Sequence, residues 1–222
     1  MPTITSIQIG QPTTYVQEGA ADGKSRTWTT AFFKSPVAGS VSVGPLGIAG
    51  DQQADRENHG GIDKAVLAYS ADHYPYWRAH LNLPDMPYGG FGENLTIAGL
   101  DESAVCIGDR WQTADIEFDV SQPRQPCWKM ARRWRIVDLP KQVIQNGRSG
   151  WYLRVLKDGD LAAGTFFDLV SRPHPSWTIA RANRLLYHEP DNVAALEELA
   201  HVPELSQAWR EELLERIARR VK

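Results

Sequence analysis

The sequence predicts a mainly β protein, a barrel or sandwich interrupted by short helices, followed by a small C-terminal unit of three helices. Three observations carry this expectation. Residues 1–172 hold many short alternating apolar runs. Glycine- and proline-rich turn signals separate them, as in antiparallel all-β domains. After Pro173 the composition changes: residues 177–222 contain no glycine and carry apolar residues at helical spacing.

The elements follow in order. Residues 4–9, 41–43, 66–69, 105–107, 116–120 and 166–170 alternate like half-buried strands, and Cys106 falls within the fourth as a small core residue. Gly44-Pro45, Gly60-Gly61, Gly89-Gly90, Gly108-Asp109 and Asp158-Gly159 mark turns between them. A short helix is expected over 70–81, with Pro75 in its first turn. Another is expected over 139–146, stopped by Gly147. In the tail, Ile179, Ala182, Leu185 and Leu186 share one helical face. Asp191 is placed to cap a second helix carrying Val193, Leu196, Leu199 and Ala200. Ser206 is placed to cap a third, with Trp209, Leu213, Leu214, Ile217 and Val221 on one side. The division expected is a β domain over 1–172 and a helical extension over 173–222.

Bulk properties bound the function. A formal net charge of −3 over 222 residues gives no global reason to expect nucleic acid or an anionic membrane as partner. Two cysteines make no disulfide framework, and neither a leader pattern nor a bilayer-length apolar run is visible. A cytoplasmic protein with reduced thiols is expected.

One stretch stands out against this background, Ser121-Gln-Pro-Arg-Gln-Pro-Cys127. Pro123 and Pro126 stiffen the approach to the thiol. Residues 120–137 contain no acid but five bases, Arg124, Lys129, Arg132, Arg133 and Arg135. Nearby cations favour the thiolate, which is the nucleophilic and metal-ligating form of cysteine. Alone, Cys127 also reads as a buried residue after a turn. Residues 47–64 are polar and glycine-rich, so their N–H groups could converge on an anion, with His59 and Lys64 adding charge. A solvated loop is the simpler alternative. In Gly89-Gly-Phe-Gly-Glu-Asn-Leu95, Asn94 could bond a planar ligand through both amide groups. That stretch is neither a P-loop nor a dinucleotide fingerprint. No His-Glu-x-x-His or Cys-x-x-Cys supports a zinc site held by protein alone, and no Gly-x-Ser-x-Gly supports a serine hydrolase.

Taken in order, six stretches resemble one family: Thr30–Val37, Gly47–Asp55, His59–Gly61, Phe91–Leu95, Ile107–Asp109 and Ser121–Cys127. The set is similar to the MOSC domain, named for the C-terminal domain of molybdenum cofactor sulfurase. The tail resembles the three-helix extension of a bacterial subgroup that detoxifies N-hydroxylated bases. The resemblance implies a β-barrel that binds molybdenum cofactor (molybdopterin), with Cys127 as catalytic thiolate and molybdenum ligand. It further implies that Lys34 and Arg124 face the cofactor phosphate, and His59 and Asn94 the pterin or the metal surroundings. The implied reaction is reduction of N-hydroxylaminopurine-type bases and hydroxylamines. A separate reductase would supply electrons, since no flavin or iron–sulfur motif is present. Two alternatives stay open: a cofactor or sulfur carrier with Cys127 as persulfide, and a non-enzymatic anion or nucleic-acid binding module.

Overall fold

The computed structural model describes residues 1–17, 26–55, 60–113 and 115–220. It has a sheet core, short inserted helices and a helical C-terminal region, matching the expected class. The strands are β1 (Thr3–Ile9), β2 (Thr13–Gln17), β3 (Arg26–Thr30), β4 (Ser35–Pro36), β5 (Ser40–Gly44), β6 (Gly47–Ile48) and β7 (Val66–Ser70). They continue with β8 (Leu95–Ala98), β9 (Arg110–Gln112), β10 (Glu117–Pro123), β11 (Trp151–Lys157), β12 (Gly159–Ala162) and β13 (Asp168–Ser171). The helices are α1 (Tyr74–His80), α2 (Trp128–Trp134), α3 (Leu139–Asn146), α4 (Ile179–His188), α5 (Val193–Ala200) and α6 (Gln207–Arg220).

Eight strands form one sheet in the order β13-β9-β10-β11-β7-β8-β1-β4, antiparallel except for the parallel β7–β8 pair. Backbone bonds curl this sheet round. Ile4 N–H donates to Thr165 O (3.0 Å) and Phe167 N–H to Pro2 O (3.0 Å), tying β1 to the segment entering β13. Strands β12, β5 and β6 make a second small sheet, and β2 pairs with β3.

Alternation explains the strands, with a bulge between Ile4 and Ser6 of β1 that returns Ile7 to the inner face. Ile4 and Ile7 of β1, Phe118 and Val120 of β10, and Leu153 of β11 all bury their side chains in one apolar cluster. Leu185, Leu196, Trp209 and Leu213 of the C-terminal helices join that same cluster, so sheet and helices share a core. A second cluster gathers Phe32, Tyr69, Tyr74, Trp77, Phe91, Met130, Leu139 and Val143. Among the described residues no helix is long and apolar enough to cross a membrane.

Several local expectations meet the structure directly. Helix α3 spans the expected residues, and Gly147 ends it at φ 73°, a left-handed conformation that costs glycine little. Ser206 Oγ accepts from Trp209 N–H (3.3 Å) ahead of α6. Others need correction. Residues 105–107 are not a strand. Asp109 Oδ2 accepts Cys106 N–H (2.8 Å), which folds the segment into a turn with one bridge to Thr178, though Cys106 is buried as expected. Asn192, not Asp191, caps α5, accepting from Ala195 N–H (3.3 Å); Asp191 instead pairs with Arg220. Leu214 is exposed, and Val221 lies outside the described residues. Helix α2, which directly follows Cys127, is missing from the expectations because its basic sequence shows no wide apolar face.

Candidate functional site

A cleft opens beside Cys127 and is lined from six parts of the chain. Thr30 ends β3 and Phe32 and Lys34 follow it, Asp51 to Ala54 follow β6, and Lys64 and Leu67 flank the start of β7. Gly92 and Asn94 come from the turn before β8; Arg124, Cys127 and Lys129 follow β10; Tyr152 belongs to β11. Counted out to its open mouth, solvent included, the cleft holds about 570 Å³.

The cysteine segment leaves the sheet at Pro123, which pairs with Trp151. Arg124 N–H donates to Gly150 O (3.0 Å), and the chain then crosses the cleft to Cys127. The thiol is half-buried and packs partly against the second apolar cluster. Cys127 therefore sits at a boundary, with apolar side chains behind it and the cleft in front.

Arg124 is 3% exposed. Its Nη2 donates to Phe91 O (3.1 Å), while its Nη1 is buried without a partner among the described residues. Leaving a buried charged donor unpaired is costly, so the atom fits a site built to receive an acceptor. Lys129 is also buried, and among the described residues its ammonium has no ion pair or hydrogen bond. The other three bases of the run do not converge here. Arg132 stacks over Trp28 and Trp128, its guanidinium carbon 5.3 and 4.6 Å from the ring centroids. Arg133 donates to Phe32 O (3.2 Å) and Gly89 O (2.6 Å), bracing the cleft wall. Arg135 ends α2 in a left-handed conformation.

The remaining expected residues fare differently. Lys34 lines the cleft but is ion-paired to Asp51, which also lines it. Burial lowers the Lys34 pKa, opposed by the Asp51 charge. The lysine expected to meet a phosphate thus already has a carboxylate. Asn94 lines the cleft, but its amide is occupied: Oδ1 accepts from Leu67 N–H (3.2 Å) and Nδ2 donates to Gln8 O (3.2 Å). It clamps β1 to β7 rather than presenting both groups to a ligand. His59 lies outside the described residues. Of the N–H groups that could have formed an anion nest within 47–64, those of Ala49, Asp51 and Gln52 donate instead to the Ser42, Ile48 and Gly10 carbonyls.

Two features escaped the sequence reading. Glu93 is fully buried and accepts from Tyr74 Oη, Gly89 N–H (2.7 Å), Phe91 N–H (3.1 Å) and Thr96 Oγ1 (3.0 Å). It organises the glycine turn from within. Burial, and then the Glu93 charge, push the Tyr74 pKa well up, so that hydroxyl remains a donor. At Gly92, φ is +81° and an added Cβ would meet the Phe32 ring at 2.6 Å, so the turn packs tightly on the cleft wall. The carbonyls of Gly89, Gly90 and Phe91 accept from Arg133, Trp134 and Arg124. The turn and the cysteine segment therefore brace each other. The other missed residue is Tyr152. Its hydroxyl has no hydrogen bond among the described residues, and burial raises its pKa to about 12 against the opposing Arg124 charge. It is a donor held in the protonated form beside the thiol. The only sequence signals were a glutamate inside a glycine turn and an aromatic in a strand, and both are commonplace.

Among the described residues no cluster of three His, Cys, Asp or Glu side chains could hold a metal ion. Among the described residues the cleft offers one thiol, two cations without acidic partners and a tyrosine donor. That donor set suits an anionic ligand that brings its own metal.

The chain belongs to the MOSC domain family, whose model matches residues 55–166. Residues 177–220 match a second model described as a YiiM-like 3-alpha helix domain. Similar proteins include YflK of Bacillus subtilis, an uncharacterized protein 38% identical over 94% of this chain and 91% of its own length. A protein named reductase from Gibberella moniliformis is 35% identical over 85% of this chain, which spans only 33% of that longer protein. The crystal structure of YiiM from Geobacillus stearothermophilus superposes with a TM-score of 0.81 at 38% identity, covering 98% of this chain and all of that one.

Proposed function

We propose that the protein is a molybdenum-cofactor-dependent reductase of N-hydroxylated compounds, with Cys127 as the thiolate that ligates molybdenum. The observation that carries this reading is the buried Nη1 of Arg124, without a partner among the described residues, in the same cleft as Cys127. Family membership and the reductase name of one relative add support. When bound, the cofactor supplies the two electrons that convert R–NHOH and two protons into R–NH₂ and water.

The chain's own residues do the rest. Arg124 is placed to meet a phosphate oxygen with a planar fork that a lysine lacks. Lys129 adds a second positive charge to the same cleft. Tyr152 can donate a hydrogen bond to an oxygen bound near the thiol, since its proton stays in place through neutral pH. Asp51 holds Lys34, and Asn94 and Glu93 fix the walls. Electrons would come from a separate reductase, and the organic substrate would be a hydroxylated amine or base. The expected division into a β domain over 1–172 and an extension over 173–222 is kept as part of this proposal.

The decisive experiment expresses the protein with and without cofactor biosynthesis, measures bound molybdenum and pterin, then assays hydroxylamine reduction with an artificial electron donor. Wild type should retain both and turn over. Cys127→Ser should lose at least about a hundredfold in rate while its thermal midpoint stays put. Failure to retain molybdenum or pterin sinks the proposal. Retention without turnover, with a persulfide mass on Cys127, would favour the carrier reading.

A further inference from the structure

The C-terminal helices reach the cysteine segment by specific bonds. Beyond Arg124 the segment has left the sheet, and among the described residues neither Gln125 N–H nor Cys127 N–H finds an acceptor. Pro126 has no N–H to give. Prolines fix φ, but they do not fix where a loop sits over its cleft. The next tie is the Gln125 side chain, whose Nε2 donates to Glu212 Oε2 of α6 (2.5 Å). Glu212 is held in turn, since its Oε1 pairs with Arg216 Nη2 (2.7 Å) and Arg216 Nη1 donates to Leu186 O (2.8 Å).

On the other side of Pro123, Ser206 N–H donates to Ser121 O (3.0 Å). Asn183 Nδ2 of α4 donates to Ser149 Oγ (2.8 Å), one residue before the Gly150 carbonyl that holds Arg124. The helices therefore grip the segment at Ser121 and at Gln125, on both sides of Arg124, and also brace the strand entry beneath it.

We infer that the helical extension positions the Cys127 segment, with Gln125 and Glu212 as positioning residues that set the relation of the thiol to Arg124. The functional meaning of this device rests on the reading of Cys127 given above; the device itself is measurable without cofactor. Full-length wild type and Glu212→Ala are labelled with neutral iodoacetamide and with an anionic aromatic disulfide across pH 6 to 9. Cys127 is followed by peptide mass mapping, which separates it from buried Cys106. Losing one net hydrogen bond should change the labelling rate, and the ratio of anionic to neutral reagent, by about fivefold. Glu212→Gln retains a carbonyl acceptor and should restore both to within about twofold. Gln125→Ala removes the same bond from the exposed loop side, leaves the helices intact, and should match Glu212→Ala.

Wild-type rates, ratios and pH profiles in Glu212→Ala and Gln125→Ala would overturn the inference. So would a Glu212→Gln variant as altered as the alanine. Changed labelling together with absence of molybdenum from every variant, wild type included, leaves positioning intact and removes the cofactor reading instead.

Discussion

Cations are treated in opposite ways at the two ends of this molecule. In the helical extension four arginines are matched to acids, Arg184 to Glu189, Arg216 to Glu212, Arg219 to Glu215 and Arg220 to Asp191, while Arg210 is satisfied by four backbone carbonyls. Most of those pairs are well exposed, where each contributes at most about 1 kcal/mol. In the cleft, Arg124 is buried with one Nη nitrogen lacking a partner, and Lys129 has no acidic partner, among the described residues. Exposed charges can lose a partner cheaply because water replaces it; buried ones cannot. Where a protein keeps buried cations unmatched, the missing anion is to be sought in a ligand. Lys34 marks the contrast within the cleft itself, for Asp51 satisfies it internally.

The strongest way to break this comparison is Arg124→Met. Removing the fork should lower cofactor retention by about 10- to 100-fold, the value of a charged hydrogen bond, read as molybdenum and pterin per protein. Retention at the wild-type level would place the anion elsewhere.

Tyr152→Phe comes next. The folded pKa of Tyr152 is raised to about 12, above the usual phenol value of about 10. Its contribution is therefore fully present below pH about 10 and is lost as pH rises toward about 12. Urea titrations across that window should show wild type losing stability more steeply than Tyr152→Phe, by a difference of roughly 2–3 kcal/mol. Parallel curves would mean that the hydroxyl does not sense the cleft. Tyr187, also raised to about 12 by burial and Glu212, will keep some alkaline slope in the variant.

Gly92→Ala tests the cleft wall. A left-handed alanine pressed on the Phe32 ring should cost about 2 kcal/mol in the urea-derived stability, and should weaken cofactor retention through the displaced turn. At the other end of the scale, Arg219→Ala removes an exposed pair of the extension. It should change stability by less than about 0.5 kcal/mol and leave retention untouched. An effect on retention there would erase the distinction between the two regions.

The helix α3 and the cap of α6 were readable because their causes are local: a glycine stop and a serine before an apolar periodicity. The order of strands was not, since β10 pairs with β11 across 27 intervening residues and nothing in either strand names the other. Residues 105–107 misled because alternation over three residues is too short to distinguish a strand from a turn held by Asp109. The cleft was partly legible. A thiol between prolines and an acid-free basic run pointed to the right segment. Residue type alone could not say that Arg124 and Lys129 turn toward the cleft while Arg132 and Arg133 turn toward aromatic rings.

By itself, then, the chain's order determined its local preferences: where strands alternate, where helices begin and stop, which thiol lies in a positive stretch, and which family the ordered motifs resemble. Tertiary structure decided partnership. It gave Lys34 to Asp51, spent the Asn94 amide on two strands, set Glu93 under the glycine turn and, among the described residues, left one nitrogen of Arg124 without an acceptor. The reason is physical. Propensity acts over a few neighbouring residues, whereas the cost of a buried charge depends on whatever distant side chains the fold brings within about 3 Å of it.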